Sequence, residues 1–137
     1  MRAPVPRYDP RVRARLKSLE SDAVPDLAAW SPPDPDSFAV PLVLGVGALG
    51  QRGKERFRLL AATPRWLETR DRRRGAVLGR GLLVVFAWDL PRIRALLARE
   101  VERCTGPTWP DVARRVGRIA EWEGEDDEGG GGVIGLR

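Results

Sequence analysis

Strict alternation of apolar and polar residues along the chain predicts its first β-strands. Between residues 11 and 19, Val12, Ala14 and Leu16 alternate with arginine and lysine, which indicates a half-buried strand with a basic outer face. From residue 38 to 47 the large apolar residues fall on every second position. They are Phe38, Val40, Leu42, Leu44 and Val46, and we expect them to face the core.

The stretch KERFRLLAA (54–62) alternates again after the glycine-rich segment GALGQRG, with Phe57, Leu59 and Ala61 predicted inward. Two alternating stretches joined in this way predict an antiparallel hairpin. Because Pro41 lacks an N–H donor, the first strand of the hairpin is predicted to be bulged there or to lie at a sheet edge. A further run, RGLLVVFAW (80–88), is apolar on both faces and predicts a central, covered strand.

Capping residues and apolar spacing predict three helices. The caps are Thr63 with Pro64 at the first helical position, Asp89, and Thr108 with Asp111 in a capping box. Behind the second and third caps, apolar residues recur at three- and four-residue spacing, from Leu90 to Cys104 and from Trp109 to Ala120.

The order of these elements predicts an α+β fold with a single domain over residues 11–126. We expect a mostly antiparallel, four-stranded sheet with the two C-terminal helices packed on one face and the short helix between strands 3 and 4. Residues 1–10 contain three prolines and no apolar pattern, and GGGG stands at 129–132. Both ends, 1–10 and 127–137, are therefore predicted to be flexible.

The loop WSPPDPDSF (30–38) holds Asp34 and Asp36 between prolines that keep it out of a strand ladder. Carboxylates placed in this way could contribute to a calcium or magnesium site, or they could cap turns of the loop. The ligand spacing of a known metal loop is missing here and in the acidic run at 121–128. No metal site is predicted.

The motif GVGALG (45–50) matches the G-x-G-x-x-G fingerprint of dinucleotide-binding domains and follows a predicted strand. In that fingerprint the last glycine opens a helix whose amides hold the pyrophosphate. Here QRGKERFRL follows, with another glycine and a two-residue period. A hairpin turn explains the glycines better than a nucleotide site does, and no cofactor is predicted.

The composition removes most catalytic chemistries. The chain has no histidine and one cysteine, Cys104, which excludes Ser-His-Asp and Cys-His schemes and nearly every zinc site. A mechanism based on carboxylates alone stays open, but we predict a protein that is not an enzyme.

A single cysteine suits a reducing compartment, and the longest apolar run, GLLVVFAW, is too short to span a bilayer. The N-terminal residues also lack the apolar core of a secretory signal, so we expect a cytoplasmic protein with no membrane partner.

The net charge of +5 and the pI near 10.5 are typical of proteins that bind anionic partners such as nucleic acid. A basic sheet face would comprise Arg13, Arg15, Lys17, Arg56 and Arg58. Such faces usually stack bases on aromatic side chains, whereas Phe38, Phe57 and Phe86 fall on positions assigned to the core. Binding of nucleic acid through an arginine-rich sheet face is therefore kept as the alternative function.

The acidic residues are concentrated in a few segments, among them the loop at 30–38 and the run at 121–128. A protein of positive net charge can therefore still present an acidic surface. Two of the five tryptophans lie beside acidic segments, and large rings either fill the core or anchor contacts with a partner. The predicted partner-binding residues are Trp30, Asp34, Asp36, Glu121, Trp122, Glu123, Glu125 and Asp126.

Five segments, in their order and spacing, resemble the Immunity protein 8 family of bacterial polymorphic toxin systems. They are LKSLES (16–21), DLAAWSPPDPDSFAVPLVLGVG (26–47), TPRWLE (63–68), GRGLLVVFAWD (79–89) and CTGPTWPDVARRVGRIAEWEGED (104–126). The resemblance implies a small cytoplasmic protein that neutralises the toxin C-terminal domain made by its own cell, by forming a tight complex with it. It names neither the toxin nor any binding residue.

Overall fold

A six-stranded mixed sheet is the framework of the computed structural model, which describes residues 12–124. Its strands are β1 (Val12–Glu20), β2 (Ala39–Ala48), β3 (Glu55–Ala62), β4 (Leu82–Val84), β5 (Thr105–Gly106) and β6 (Glu121–Trp122). The α-helices of the described part are α1 (Pro64–Asp71), α2 (Leu90–Glu102) and α3 (Trp109–Val116). The class is α+β with a single domain, as predicted. The two ends predicted to be flexible lie outside the described residues, as do Glu125 and Asp126.

The strand order is β4-β3-β2-β1-β5, with β6 also paired to β3. β3 pairs with β4 in parallel at 60–62 and with β6 in antiparallel fashion at Phe57 and Arg58. The prediction of a four-stranded sheet is therefore wrong, because two further strands join it and one pairing is parallel. β5 and β6 have two residues each, too few to produce an alternation in the sequence.

The hairpin of β2 and β3 is confirmed, with Leu44 opposite Phe57 in its register. Alternate residues of both strands face the core, against which α2 and α3 pack on one side of the sheet. These strand residues are Val40, Leu42, Leu44, Val46, Phe57, Leu59 and Ala61. The β1–β2 ladder ends at Glu20 and Val43, so Pro41 lies where β2 is paired with β3 alone, in line with the edge position expected for proline.

Gly45 and Gly47 face the side of the sheet away from this core. The side chains of the two lysines of the chain, Lys54 and Lys17, pass over them. A Cβ on Gly45 would collide with Ser18 Oγ, and one on Gly47 would collide with Gly53 O and lie 3.1 Å from Lys17 Cε. Lys54 Nζ donates to Ser18 Oγ at 3.1 Å, and Lys17 Nζ donates to carbonyl oxygens of the hairpin turn. Gly45 and Gly47 therefore permit close packing within the hairpin, and Gly50 adopts the positive φ of a turn, which agrees with the interpretation of the motif as a hairpin.

The run at 80–88 departs furthest from its prediction. Only Leu82–Val84 forms a strand, and that strand lies at the edge of the sheet rather than at its centre. Val85 is buried, and its N–H donates to Ala62 O at 2.9 Å, but Phe86 is 83% exposed and Val84 is 42% exposed. An apolar run shows which residues favour burial but not whether neighbouring elements cover them, and here no helix or strand of the described residues covers Phe86.

Candidate partner-binding surface

Three chain segments meet at one end of the sheet because of the strand directions. β2 begins at this end, while β3 and the parallel β4 finish there. Thr63, which follows β3, donates its N–H to Phe38 O at 3.0 Å, and its Oγ1 accepts the Phe38 N–H at 3.1 Å. The same hydroxyl caps α1 by accepting the Trp66 N–H at 3.3 Å, which confirms the predicted cap. We call the region formed by residues 30–38, 63 and 84–89 the Phe38 end.

An aromatic cluster joins two of these segments. Trp30 lies at one edge of it, with its ring centroid 4.9 Å from that of Trp88 and 6.1 Å from that of Phe38. The rings of Phe38 and Trp88 are also 6.1 Å apart, and all three pairs are T-shaped, an arrangement that aromatic rings favour. Phe38 is buried, while Trp30 and Trp88 are partly exposed. The cluster therefore fixes the loop before β2 to the segment before α2 and leaves part of Trp30 at the surface.

Asp34 and Asp36 are exposed on the turn between Trp30 and Phe38. Asp34 Oδ1 accepts the Asp36 N–H at 2.9 Å, and Asp34 O accepts the Ser37 N–H at 3.2 Å. Asp34 thus stabilises the turn, which is one of the two roles the sequence left open. Within residues 12–124, no group of three or more acidic, cysteine or histidine side chains is arranged to hold a metal ion.

Of the other predicted site residues, Glu121 and Trp122 form β6 and Glu123 follows it, while Glu125 and Asp126 lie outside the described residues. Trp122 stacks on Phe57 with a centroid distance of 6.2 Å, and its indole N–H donates to Glu55 Oε1 at 2.9 Å. The second oxygen, Glu55 Oε2, accepts the indole N–H of Trp109. Glu55 was not predicted as a structural residue, because these partners are 54 and 67 positions away in the sequence.

Glu123 lies between the two arginines of β3. Its carboxylate accepts hydrogen bonds from Arg56 Nε at 2.6 Å and from Arg58 at 3.4 Å, and Asp22 contacts Arg56 at 3.1 Å. The hydrogen bond to Glu123, followed by that to Asp22, raises the pKa of Arg56 above its ordinary value. Glu121, at 9% exposure, lies opposite Arg58 in the ladder. This part of the predicted basic face is therefore a mixed-charge network.

On β1, Arg13, Arg15 and Lys17 are exposed, as a nucleic-acid-binding face would require. Phe38 and Phe57 are buried on the opposite side, where they cannot stack bases on that face.

The structure places the predicted site residues in two separate regions. Trp30, Asp34 and Asp36 belong to the Phe38 end, whereas Glu121 and Trp122 form β6 and Glu123 follows it directly.

Exposed apolar residues at the Phe38 end and on the adjoining face of α2 were missed by sequence reasoning. Phe86, Val84 and Leu96 line one open concavity of about 450 Å³, with Leu96 37% exposed. The only signal was the run GLLVVFAW itself, whose length and apolarity exceed the three residues that form β4, but the sequence does not show which of its residues stay uncovered. In the described part of the chain, no helix has the length and apolarity needed to cross a bilayer.

No curated protein and no solved structure matches the chain. The family model of Immunity protein 8, however, matches residues 14–127. The match covers most of the chain and includes every strand and helix given above except the first two residues of β1. Proteins of this family are immunity proteins of toxin systems, generally without enzymatic activity, and the family implies a cognate toxin protein as partner. This chain belongs to the Immunity protein 8 family.

Proposed function

We propose that this protein binds the toxin C-terminal domain made by its own cell and neutralises it, so that the producing cell survives. The match to the immunity family over residues 14–127 is the observation that supports this most. The chemistry of its side chains also supports a protein that acts by binding. The chain has no histidine, and burial raises the pKa of the Cys104 thiol, which disfavours the reactive thiolate. The complex would form in the cytoplasm, where the toxin is synthesised.

Within the Phe38 end, the turn at 31–37 is proposed as a toxin contact. Asp36 presents an exposed carboxylate, and Asp34 holds the turn by its hydrogen bond to the Asp36 N–H. Pro33 and Pro35 restrict the same segment, so little conformational entropy is lost when it binds. A toxin surface bearing lysine or arginine would complement this turn, and such charge pairs govern specificity and association rate.

Trp122 of β6 and Glu123 directly after it receive a supporting role in this proposal. Trp122 and Glu123 already bond to Glu55 and to the arginines of β3, so their side chains are committed to contacts within the fold. Trp30 supports the acidic turn from the aromatic cluster, and the exposed part of its ring is available to the toxin.

Co-expression tests the proposed function. The toxin is expected to be the C-terminal domain of a large secreted protein encoded by the neighbouring gene. A bacterial host that produces this domain should grow when it also produces the present protein, and should stop growing with an unrelated protein of similar size and charge. Growth arrest in both cultures, at equal levels of the co-expressed proteins, would contradict the proposal.

A further inference from the structure

An apolar concavity of about 450 Å³ opens between the segment after β4 and the first turns of α2. Its exposed large apolar residues are Val84 at 42%, Phe86 at 83% and Leu96 at 37%, and its floor is formed by Leu83, Val85 and Ile93. Single exposed apolar residues are common on soluble proteins, but several lining one depression mark a surface that binds another molecule. We call these residues the Phe86 patch.

The backbone that carries Phe86 is held on both sides. Before it, Val85 is buried in the core and donates its N–H to Ala62 O at 2.9 Å. After it, Trp88 packs on Trp30, and Asp89 caps α2 by accepting the Arg92 N–H at 3.2 Å. Phe86 is therefore displayed from a fixed segment, which lowers the entropy that binding would cost.

Two arginines and one aspartate form the charged part of the rim. Arg92 and Arg99 line the concavity together with Asp89. The contact between Arg92 and Asp89 is loose, at 3.8 Å with 89% of the Arg92 side chain exposed, so a partner can readily replace it. Arg99 is exposed and has no ion-pair partner among residues 12–124. The rim thus favours an occupant that bears carboxylates.

We infer that the Phe86 patch is the apolar anchor of the complex with the toxin, an inference that rests on the proposed function. The toxin places an apolar side chain in the concavity and carboxylates opposite Arg92 and Arg99. A central aromatic residue beside arginines is the composition of energetic hot spots in protein interfaces. A second copy of this chain is a poorer occupant, because a symmetric contact would bring the same arginines together in a protein of net charge +5.

The Phe86 patch adjoins the acidic turn through the contact of Trp88 with Trp30. The Phe38 end and the adjoining face of α2 therefore present the exposed carboxylates of Asp34 and Asp36, the Phe86 patch, and the arginines Arg92 and Arg99. A toxin surface with complementary charges is favoured over one without them, which is how such a surface selects its cognate toxin.

Binding of the purified toxin domain to single variants of this protein tests the inference. Phe86→Ser removes the anchor, and Leu78→Ser is the matched control, because Leu78 is 88% exposed and lies outside the patch. We expect Phe86→Ser to raise the dissociation constant at least about thirty-fold, as loss of a hot-spot residue does, and Leu78→Ser to change it less than about threefold. Arg99→Glu should weaken binding at least about tenfold, whereas Arg65→Glu, an exposed change on α1, should not.

The possible results separate this inference from the proposed function. Tight binding by the wild-type protein that is unchanged in Phe86→Ser overturns the inference and leaves the proposed function standing. Failure of the wild-type protein to bind the toxin overturns both. Sedimentation that shows a dimer of the wild-type protein and a monomer of Phe86→Ser would assign the patch to a second copy and also overturn the inference.

Discussion

Each carboxylate oxygen of Glu55 accepts one indole N–H. A carboxylate can do this because it has two acceptor oxygens, whereas an amide has one. Trp109 begins α3 and Trp122 lies in β6, so one residue at the start of β3 fixes both elements. Both tryptophans are partly buried, which makes the loss of either acceptor costly. At the scale of single residues, Glu55 is therefore a structural position rather than a catalytic one.

Replacing Glu55 with glutamine should lower the free energy of unfolding by about 1–2 kcal/mol, because the amide nitrogen of Gln would face one indole donor and leave it unsatisfied. Chemical denaturation followed by tryptophan fluorescence measures this change. Glu68→Gln is the control, since Glu68 is exposed on α1 and its replacement should alter the free energy by less than about 0.5 kcal/mol. Equal stability of Glu55→Gln and the wild-type protein would contradict the structural role.

At the scale of elements, the sequence predicts correctly those features that depend on neighbouring residues. The alternation of β2 is visible because one of its faces packs on the core along its whole length. Thr63 and Thr108 act as helix caps, accepting the N–H of Trp66 and Asp111 three residues on, so their signal is local. Asp89 caps α2 in the same way.

Features that depend on distant partners were not predictable. β5 and β6 become strands only because β1 and β3 offer them an edge, and two residues carry no period. β4 has the composition of a buried strand, but its place at the edge is decided by the pairing with β3, and Phe86, two residues after it, stays exposed. The same limit applies to the candidate site. Sequence proximity grouped Trp122 with the acidic tail, whereas its contacts are with Phe57 and Glu55.

At the scale of the whole molecule, charge is distributed so that a protein of net charge +5 still presents an acidic turn. Glu123 and Asp22 are engaged by Arg56, whereas Asp34 and Asp36 point their charge to solvent at the Phe38 end. A basic protein can therefore meet basic groups of a toxin at this turn.

Reversing the charge of Asp36 tests whether the turn at 31–37 contacts the toxin. Asp36→Lys should raise the rate of dissociation from the toxin domain at least about tenfold, because a pair of opposite charges becomes a pair of like charges. Glu68→Lys changes the net charge by the same amount on α1 and should leave the rate nearly unchanged. Surface plasmon resonance at physiological salt measures both rates, and equal rates for the two variants would exclude the 31–37 turn from the interface.

The proposed neutralisation requires that this protein bind its toxin without an intermediary. Isothermal titration calorimetry with the purified toxin domain encoded by the neighbouring gene measures that binding. We predict a saturable complex with a dissociation constant on the order of 10⁻⁹ M or below, as for other tight protein pairs. Absence of binding up to about 10⁻⁵ M of a folded, active toxin domain would contradict the account.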